Sequence, residues 1–334
     1  MSDSRGERRR RWRATLWLLS VCVFWGGTFL WMKQGTEALR ALLGVSHPAT
    51  LSGLFLFWRF AVAAALMPLL LPASVRRMNR RAWALGFWLS LPFSAGYLLQ
   101  LYGLAHPEVA PSQSAFLTSL YVVATPVIAA LLYRRWPPLG VVVGVVLATI
   151  GVAFIEGPPV AGLSPGAWAT LLCALVFAVH IVMTDYATRR ADPLSLTLAT
   201  LLFTACWTAA STLLAPGGGV LLDGAGVRVI FSAWSFVWPL FLCAVPATVI
   251  ALSVLNRWQR ELSPGRAAIV YTAEPLFAAA ISLAAGADVF TGWLLFSASM
   301  IIGANLSVEL LGLRRRVTPA PEEDQEEGRE AQAH

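Results

Sequence analysis

Ten apolar stretches, each about as long as a membrane-crossing helix, dominate this sequence. A helix needs about 20 mainly apolar residues to cross the ~30 Å hydrocarbon core of a bilayer. The ten predicted spans are residues 14–33, 49–72, 82–105, 112–133, 138–155, 164–186, 193–215, 232–256, 265–286 and 290–312. Hydrophobic residues make up 57% of the chain and charged residues 13%, a balance unlike that of soluble domains. The sequence therefore predicts an all-α membrane protein.

The basic residues predict how the spans are oriented. All but four of the 25 Lys and Arg residues fall in segments on one side of the predicted membrane. The exceptions are Lys33, Arg40 and Arg228 on the other side, and Arg59 within a span. Because positive charge concentrates on the cytoplasmic side, we predict a multi-pass protein of the cell (inner) membrane with both termini in the cytoplasm. The clusters are short and lack interleaved aromatic residues, so the expected partner is the lipid bilayer and not nucleic acid.

The two ends of the chain lie outside the predicted spans. Residues 1–13 form an Arg-rich cytoplasmic N-terminus, and residues 313–334 form an acidic tail without aromatic residues, which we predict to be disordered. The four cysteines lie in apolar runs without metal-ligand spacing. We therefore expect neither a metal nor a cofactor.

A weak internal repeat divides the spans into two halves. Pro126 in TPVIAALL matches Pro275 in EPLFAAAI, and Lys33 stands opposite Asp185 at a similar offset. The predicted repeats cover residues 14–155 and 164–312, with five spans each. Because five is odd, the second half must cross the membrane in the opposite sense, which gives two inverted five-helix repeats. Inverted repeats are typical of secondary transporters, whose substrate sites lie near the midplane between the halves.

Several motifs, in order, are similar to those of the drug/metabolite transporter superfamily, EamA type. They are Trp25-Gly26-Gly27-Thr28-Phe29 with Lys33, Phe57-Trp58-Arg59-Phe60, GYLLQLYGL at 96–104, SAFLTSLYVVATPVIAALL at 114–132, and QRELSPGRAAIVYTAEPLFAAA at 259–280. The resemblance covers about residues 14–312. It implies a ten-helix carrier that moves small organic solutes, usually outward, by alternating access, with helices five and ten peripheral. The chain departs from the family in carrying Asp288, where a Glu often follows the ninth helix.

Two ionisable residues, Glu274 and Arg59, are predicted to lie near the middle of the membrane. Measured from the span ends at ~1.5 Å per residue, each lies about 15 Å deep. Such groups are costly in hydrocarbon and usually face the interior of a bundle. They are candidates for substrate or proton binding, or alternatively for a buried structural ion pair. The sequence leaves open whether they pair with each other.

Other polar and aromatic residues lie where they could line a path between the helices. Ser114, Thr118, Tyr121 and Thr125 form one polar stripe of the fourth span. The remaining candidates for substrate or proton binding are Tyr97, Gln100, Tyr271, Trp25 and His180. For each of these, hydrogen bonding between helices is the simpler alternative.

Further sequence features are candidates for helix hinges, a gate and a helix-packing surface. Pro126 and Pro275 predict kinks, which serve either as hinges or as packing features. Lys33 and Asp185 are candidates for a gate ion pair, although terminal lysines usually extend to the interface. In the fifth span, GVVVG at 140–144 fits both packing within the chain and a homodimer.

The predicted function is a secondary transporter that exports small organic metabolites, such as amino acids or related compounds. Proton coupling through Glu274 is part of this hypothesis. A passive channel or facilitator is the alternative. An intramembrane enzyme is a weaker one, because GLSPG at 162–166 matches the G-x-S-x-G motif in a loop without the strand that a nucleophile elbow requires. N-capping by Ser164 explains that motif better.

Overall fold

The computed structural model describes residues 3–132, 134, 136–155, 157, 162–258, 261–262 and 270–317. The helices in this part of the chain are α1 (Asp3–Leu43), α2 (Pro48–Leu70), α3 (Ala73–Arg76), α4 (Arg80–Leu104), α5 (Pro111–Ser119), α6 (Tyr121–Leu132), α7 (Leu139–Ala153), α8 (Pro165–Thr188), α9 (Pro193–Leu214), α10 (Gly224–Ser232), α11 (Trp234–Ala244), α12 (Ala251–Trp258), α13 (Ala273–Ala284) and α14 (Gly292–Val317). A 3₁₀ turn at Gly218–Leu222 precedes α10, and a π-helical turn at Val245–Ile250 joins α11 to α12.

Seven helical stretches of the described chain are long and apolar enough to cross a membrane. Three shorter apolar helices, α7, α13 and the first part of α14, coincide with predicted spans five, nine and ten. The protein is thus a multi-pass membrane protein, and the secondary structure of its described residues is entirely helical. Residues 265–269 of the ninth predicted span and residues 318–334 of the predicted acidic tail lie outside the described residues.

The first helix is longer than the sequence predicted. It begins at Asp3 and continues to Leu43, ten residues beyond the expected end at Lys33. The extension holds because the helix buries Thr36 and Leu39 while Arg40 donates to the carbonyl oxygen of Ala105 at 3.0 Å. The predicted connection after the first span is therefore helical.

Two predicted spans are broken, and the breaks lie upstream of the prolines expected to cause kinks. The fourth span changes from α5 to α6 at Leu120, and α13 begins after a turn at Thr272. Pro275 is only the third residue of α13, where its missing N–H has no helical partner to lose. Pro126 lies inside α6, which stays helical around it. The interruptions predicted at these prolines occur instead three and six residues earlier.

The helices pack in pairs that bring the two predicted halves together. The most extensive pairings are α7 with α14, α4 with α8, α2 with α9, α1 with α13, and α1 with α11. The small residues of α7 serve the first of these pairings. A Cβ added at Gly144 would lie 3.1 Å from the carbonyl oxygen of Ala304, and the Ser307 hydroxyl donates to the carbonyl oxygen of Gly140 at 3.0 Å. The GVVVG segment therefore packs within the chain, against α14.

Candidate functional site

A cavity of about 230 Å³, here the central cavity, lies where both halves of the chain meet. Its lining contains seven of the ten candidate binding residues, and α1, α4, α5, α6, α8, α12 and α13 contribute to it. The lining residues are Trp25, Thr28, Phe29, Phe93, Tyr97, Gln100, Thr118, Tyr121, Phe177, His180, Ile181, Leu252 and Glu274. The helices α7 and α14, which the resemblance implies are peripheral, contribute none of them. The cavity is mainly aromatic, with a few polar groups and one carboxylate.

A close contact between α1 and α13 brings Glu274 into the cavity. A Cβ built on Gly26 would lie 2.7 Å from the backbone nitrogen of Ala278 and 2.8 Å from the carbonyl oxygen of Glu274. Only glycine permits this approach of two helix backbones. Within the described residues, the Glu274 carboxylate has neither a hydrogen-bond partner nor an ion-pair partner. It therefore lies in the cavity wall with its binding capacity unused.

The π-helical turn of the eighth span forms polar contacts with Trp25, which lines the central cavity, and with Arg59. The indole nitrogen of Trp25 donates to the carbonyl oxygen of Ala247 at 2.9 Å. The Thr248 hydroxyl donates to the carbonyl oxygen of Cys243 at 2.8 Å, and its oxygen lies 3.4 Å from the guanidinium of Arg59. π-helical turns place backbone and side-chain groups at irregular positions and often occur at functional sites.

Arg59 is buried next to the central cavity, with 1% of its surface exposed. One terminal nitrogen lies 3.1 Å from the sulfur of Met32, the other contacts Thr248, and Nε has no partner. The guanidinium carbon lies 4.9 Å from the ring centroid of Tyr97, which lines the cavity. In the described part of the chain, no carboxylate pairs with Arg59, and Glu274 is not its partner. A buried cation without a counter-charge is energetically costly.

Two helices of the first half are joined by a polar contact in the cavity wall. The Gln100 side-chain nitrogen donates to the Thr118 hydroxyl at 3.2 Å, whereas the Gln100 carbonyl oxygen is buried without a partner. The hydroxyl of Ser114, one turn earlier on the same stripe, is also buried and unpartnered. The stripe predicted from the sequence thus faces protein and cavity along Ser114, Thr118 and Tyr121.

Two candidate residues lie elsewhere. Thr125 donates to the carbonyl oxygen of Tyr121 and lines a separate groove between α4, α6 and α8. Tyr271 packs with Leu18 and Leu262, and its ring centroid lies 6.3 Å from that of Trp25. Neither residue lines the central cavity.

The gate candidates Lys33 and Asp185 do not pair with each other. Lys33 Nζ donates to the carbonyl oxygens of Val109 at 2.6 Å and Pro107 at 3.4 Å. Asp185 forms an exposed ion pair with Arg189 one helical turn away, at 2.9 Å. Both residues lie toward the C-terminal ends of their predicted spans, which run in opposite senses in the predicted arrangement, so the two side chains would lie on opposite sides of the membrane.

Carboxylates of the second half contact the first half at both ends of the bundle. Asp288 Oδ2 accepts from the backbone N–H of Ser112 at 3.0 Å, at the start of α5. Asp192 caps α9 through Ser195 and pairs with Arg77 at 3.0 Å. Burial raises the pKa of Asp192, but the hydrogen bonds from Arg77 and Ser195, together with the charge of Arg77, outweigh that effect, and the net pKa is lowered.

His180 lies between the central cavity and a second one. Its Nδ1 lies 3.2 Å from the carbonyl oxygen of Leu89, and its ring packs against Phe93. The second cavity, here the vestibule, has a volume of about 260 Å³ and extends toward the turn between α8 and α9. Phe93, His180 and Leu252 line both cavities and so separate one from the other.

Sequence reasoning missed the residues that surround Arg59 and those that close the vestibule. Met32 and Leu252 read as ordinary apolar span residues, and Thr248 carries no motif. Pro246 in the middle of a predicted span was the available signal for the π-helical turn. Ser164, in contrast, caps α8 by accepting from Ala167 at 3.2 Å, as predicted for the GLSPG segment.

Comparison with known proteins relates part of this chain to a transporter family and most of it to one transporter sequence. Residues 12–157 match the EamA-like transporter family. An uncharacterized transporter of Archaeoglobus fulgidus is 26% identical over 307 residues, which cover 91% of this chain and 88% of that protein. A protein crystal structure with 19% sequence identity superposes with a TM-score of 0.57 and covers 92% of this chain and 99% of its own. That last likeness concerns the fold alone.

Proposed function

We propose that this chain, whose residues 12–157 match the EamA-like transporter family, is an EamA-type transporter of the drug/metabolite transporter superfamily that exports small zwitterionic metabolites, such as amino acids or related compounds. In this proposal the solute binds in the central cavity and crosses the cell membrane by alternating access. Both termini lie in the cytoplasm, as the distribution of basic residues favours.

We further propose that the carrier consists of two inverted five-helix repeats, residues 14–155 and 164–312. The helix pairings support this arrangement. If α1 corresponds to α8 and α4 to α11, the contact of α1 with α11 has its counterpart in the contact of α4 with α8. The contact of α1 with α13 likewise corresponds to that of α8 with α6, and the pairs α2–α9 and α7–α14 each map onto themselves. A pseudo-two-fold axis in the membrane plane would produce this pattern.

The proposal of a zwitterionic solute depends on two charged residues at the cavity that lack an oppositely charged partner within the described residues. Glu274 lines the cavity and Arg59 is buried beside it, against the lining residue Tyr97, and neither has an oppositely charged partner within the described residues. A zwitterion supplies a carboxylate for the guanidinium and an ammonium for the carboxylate. Because buried charges need counter-charges, binding of such a solute would remove both penalties at once. A cavity of about 230 Å³ fits a small metabolite.

Glu274 is also the proposed site of proton coupling. A carboxyl group that alternately binds the ammonium of the solute and a proton would exchange the two across the membrane. Since Glu274 is the only acid lining the central cavity as described, the exchange would depend on this one side chain.

Proteoliposomes test the proposal. Purified protein is reconstituted, a mixture of the 20 amino acids is offered, and uptake is measured by mass spectrometry with and without an imposed pH gradient. We expect gradient-dependent uptake by the wild type, none by Glu274→Gln, and normal uptake by Asp185→Asn, which neutralises an acid outside both cavities. Uptake of anions and cations in preference to zwitterions would contradict the proposed solute. Equal gradient dependence of the wild type and Glu274→Gln would exclude the coupling role.

A further inference from the structure

The vestibule is lined on its polar side by groups that can accept hydrogen bonds but have none to donate. Its polar lining residues are Thr184, Thr188, Thr197, Thr200 and His180. Every one of the four hydroxyl groups donates its hydrogen to the backbone carbonyl four residues earlier, at 2.8 Å. A hydroxyl that has committed its only hydrogen retains lone pairs for further contacts. Their free capacity is therefore that of acceptors.

His180 likewise offers only a hydrogen-bond acceptor to the vestibule. The carbonyl oxygen of Leu89, 3.2 Å from Nδ1, can only accept, so Nδ1 carries the hydrogen of the neutral ring. This leaves Nε2 as an acceptor. Nε2 lies 3.3 Å from the Thr184 hydroxyl, whose hydrogen is directed to the backbone.

At the helix start beside the vestibule, neither lining residue offers a free backbone donor, since the N–H of Leu196 is bonded to the carbonyl oxygen of Asp192. Pro193, which lines the vestibule, has no N–H. The backbone N–H of Ser195 is already bonded to Asp192. Clusters of N–H groups at helix starts commonly bind anions, but here the cap removes that contribution. The remaining lining is apolar and comes from Leu89, Phe93, Leu196, Leu201, Leu252 and Leu255.

From this one-sided polarity we infer that the vestibule is a binding site for the ammonium group of a solute, placed between the central cavity and the α8–α9 turn. An ammonium offers several donors and no acceptor, so it complements a surface of oxygen and nitrogen lone pairs. A carboxylate or other anion would face lone pairs and is disfavoured. As a step in transport this site rests on the proposed function, but its ligand preference does not.

A reporter cysteine measures the preference without transport. Leu255 lines the vestibule from α12, across from the threonines of α8 and α9. In the parent Cys206→Ser, Leu255→Cys, the three remaining native cysteines are buried. Two methanethiosulfonate reagents, one with an aminoethyl group and one with a sulfonatoethyl group, are applied to protein in nanodiscs. Their rate ratio at position 255 is divided by the ratio for 2-mercaptoethanol, which corrects for intrinsic reactivity.

We expect a normalised ratio of about ten in favour of the ammonium reagent, since a hydrogen bond to a charged group contributes on that scale. Adding Thr184→Val and Thr200→Val should lower the ratio clearly, because valine keeps the shape and removes two of the five acceptor groups. The control is Thr149→Val with Thr208→Val, which loses the same type of backbone bond outside the vestibule and should leave the ratio at ten.

Three results would overturn the inference. These are a ratio near one in the parent, an equal ratio in the parent and the vestibule double variant, and a cysteine that neither reagent reaches. Thermal midpoints of all variants establish that they are folded. Because none of these measurements requires transport, failure of the proteoliposome assay would count against the proposed function and leave the ammonium site standing.

Discussion

Replacing Gly26 with alanine should separate α1 from α13 and disturb the position of Glu274. A new Cβ would lie 2.7 Å from the backbone nitrogen of Ala278 and 2.8 Å from the carbonyl oxygen of Glu274, whereas ordinary contacts begin at 3.4 Å. The atoms it meets are helix backbone, which cannot rotate away as a side chain can. The two helices must therefore move apart by several tenths of an ångström or more.

The neighbouring glycine provides a matched control. A Cβ at Gly27 would meet only the ring of Trp31, at 2.5 Å, and a side chain on the same helix can change its rotamer. Both substitutions gain about 1 kcal/mol of helix propensity. Overpacking of a close contact costs about 1–3 kcal/mol, so Gly26→Ala should be less stable than Gly27→Ala by roughly that amount.

Thermal unfolding in detergent and proteoliposome uptake test the difference. We expect a lower midpoint for Gly26→Ala than for Gly27→Ala, and reduced uptake with weakened dependence on the pH gradient, because α13 carries Glu274. Gly27→Ala should resemble the wild type in both assays. Identical midpoints and identical uptake for the two variants would refute the argument that this backbone contact sets the position of the carboxylate.

Three other changes have definite expected outcomes. Arg59→Met should abolish uptake while leaving the unfolding midpoint unchanged or higher, because it removes a buried cation that lacks an ionic partner; a loss of about 3–5 kcal/mol in stability would instead indicate an essential structural charge. Asp192→Asn keeps a capping side chain but loses the charge. The lowered pKa of Asp192 means that its ionic contribution is present above the pKa of the unfolded state and is lost as pH falls through the folded pKa. The midpoint difference between the wild type and Asp192→Asn should therefore shrink on acidification, and a pH-independent difference would argue against it. Gly144→Leu should lower the midpoint by disrupting the α7–α14 contact while any oligomer seen by light scattering stays the same; loss of a dimer would instead assign this face to an interface.

Much of the architecture could be predicted because bilayer thickness constrains the sequence so strongly. Seven of the ten predicted spans coincide with helical stretches long enough to cross a membrane, the other three overlap shorter apolar helices in the described chain, and seven candidate residues converge on one cavity. Glu274, singled out as an ionisable residue within an apolar span, lines the central cavity, and Arg59, singled out for the same reason, is buried beside it. These candidate residues could be identified from the sequence because charged residues and polar stripes are rare in such an apolar chain.

Details that depend on tertiary contacts could not be predicted. Helix breaks fall at Leu120 and Thr272 and not at the prolines, because a new helix can begin upstream and place a proline where it does little harm. The true partners of Lys33 are backbone carbonyls of the α4–α5 connection, which no pattern in the sequence identifies. The acceptor-only character of the vestibule likewise depends on where each threonine hydroxyl directs its hydrogen.

The π-helical turn at Val245–Ile250 sets the phase of everything that follows it in the eighth span. Each residue advances an α-helix by about 100°, so deleting one residue from this turn would rotate α12 by about that angle. Leu252 would leave the boundary between the two cavities, and Leu255 would leave the vestibule wall. Gain or loss of a single residue in this turn could thus change which face of α12 a passing solute meets, without any substitution within α12 itself.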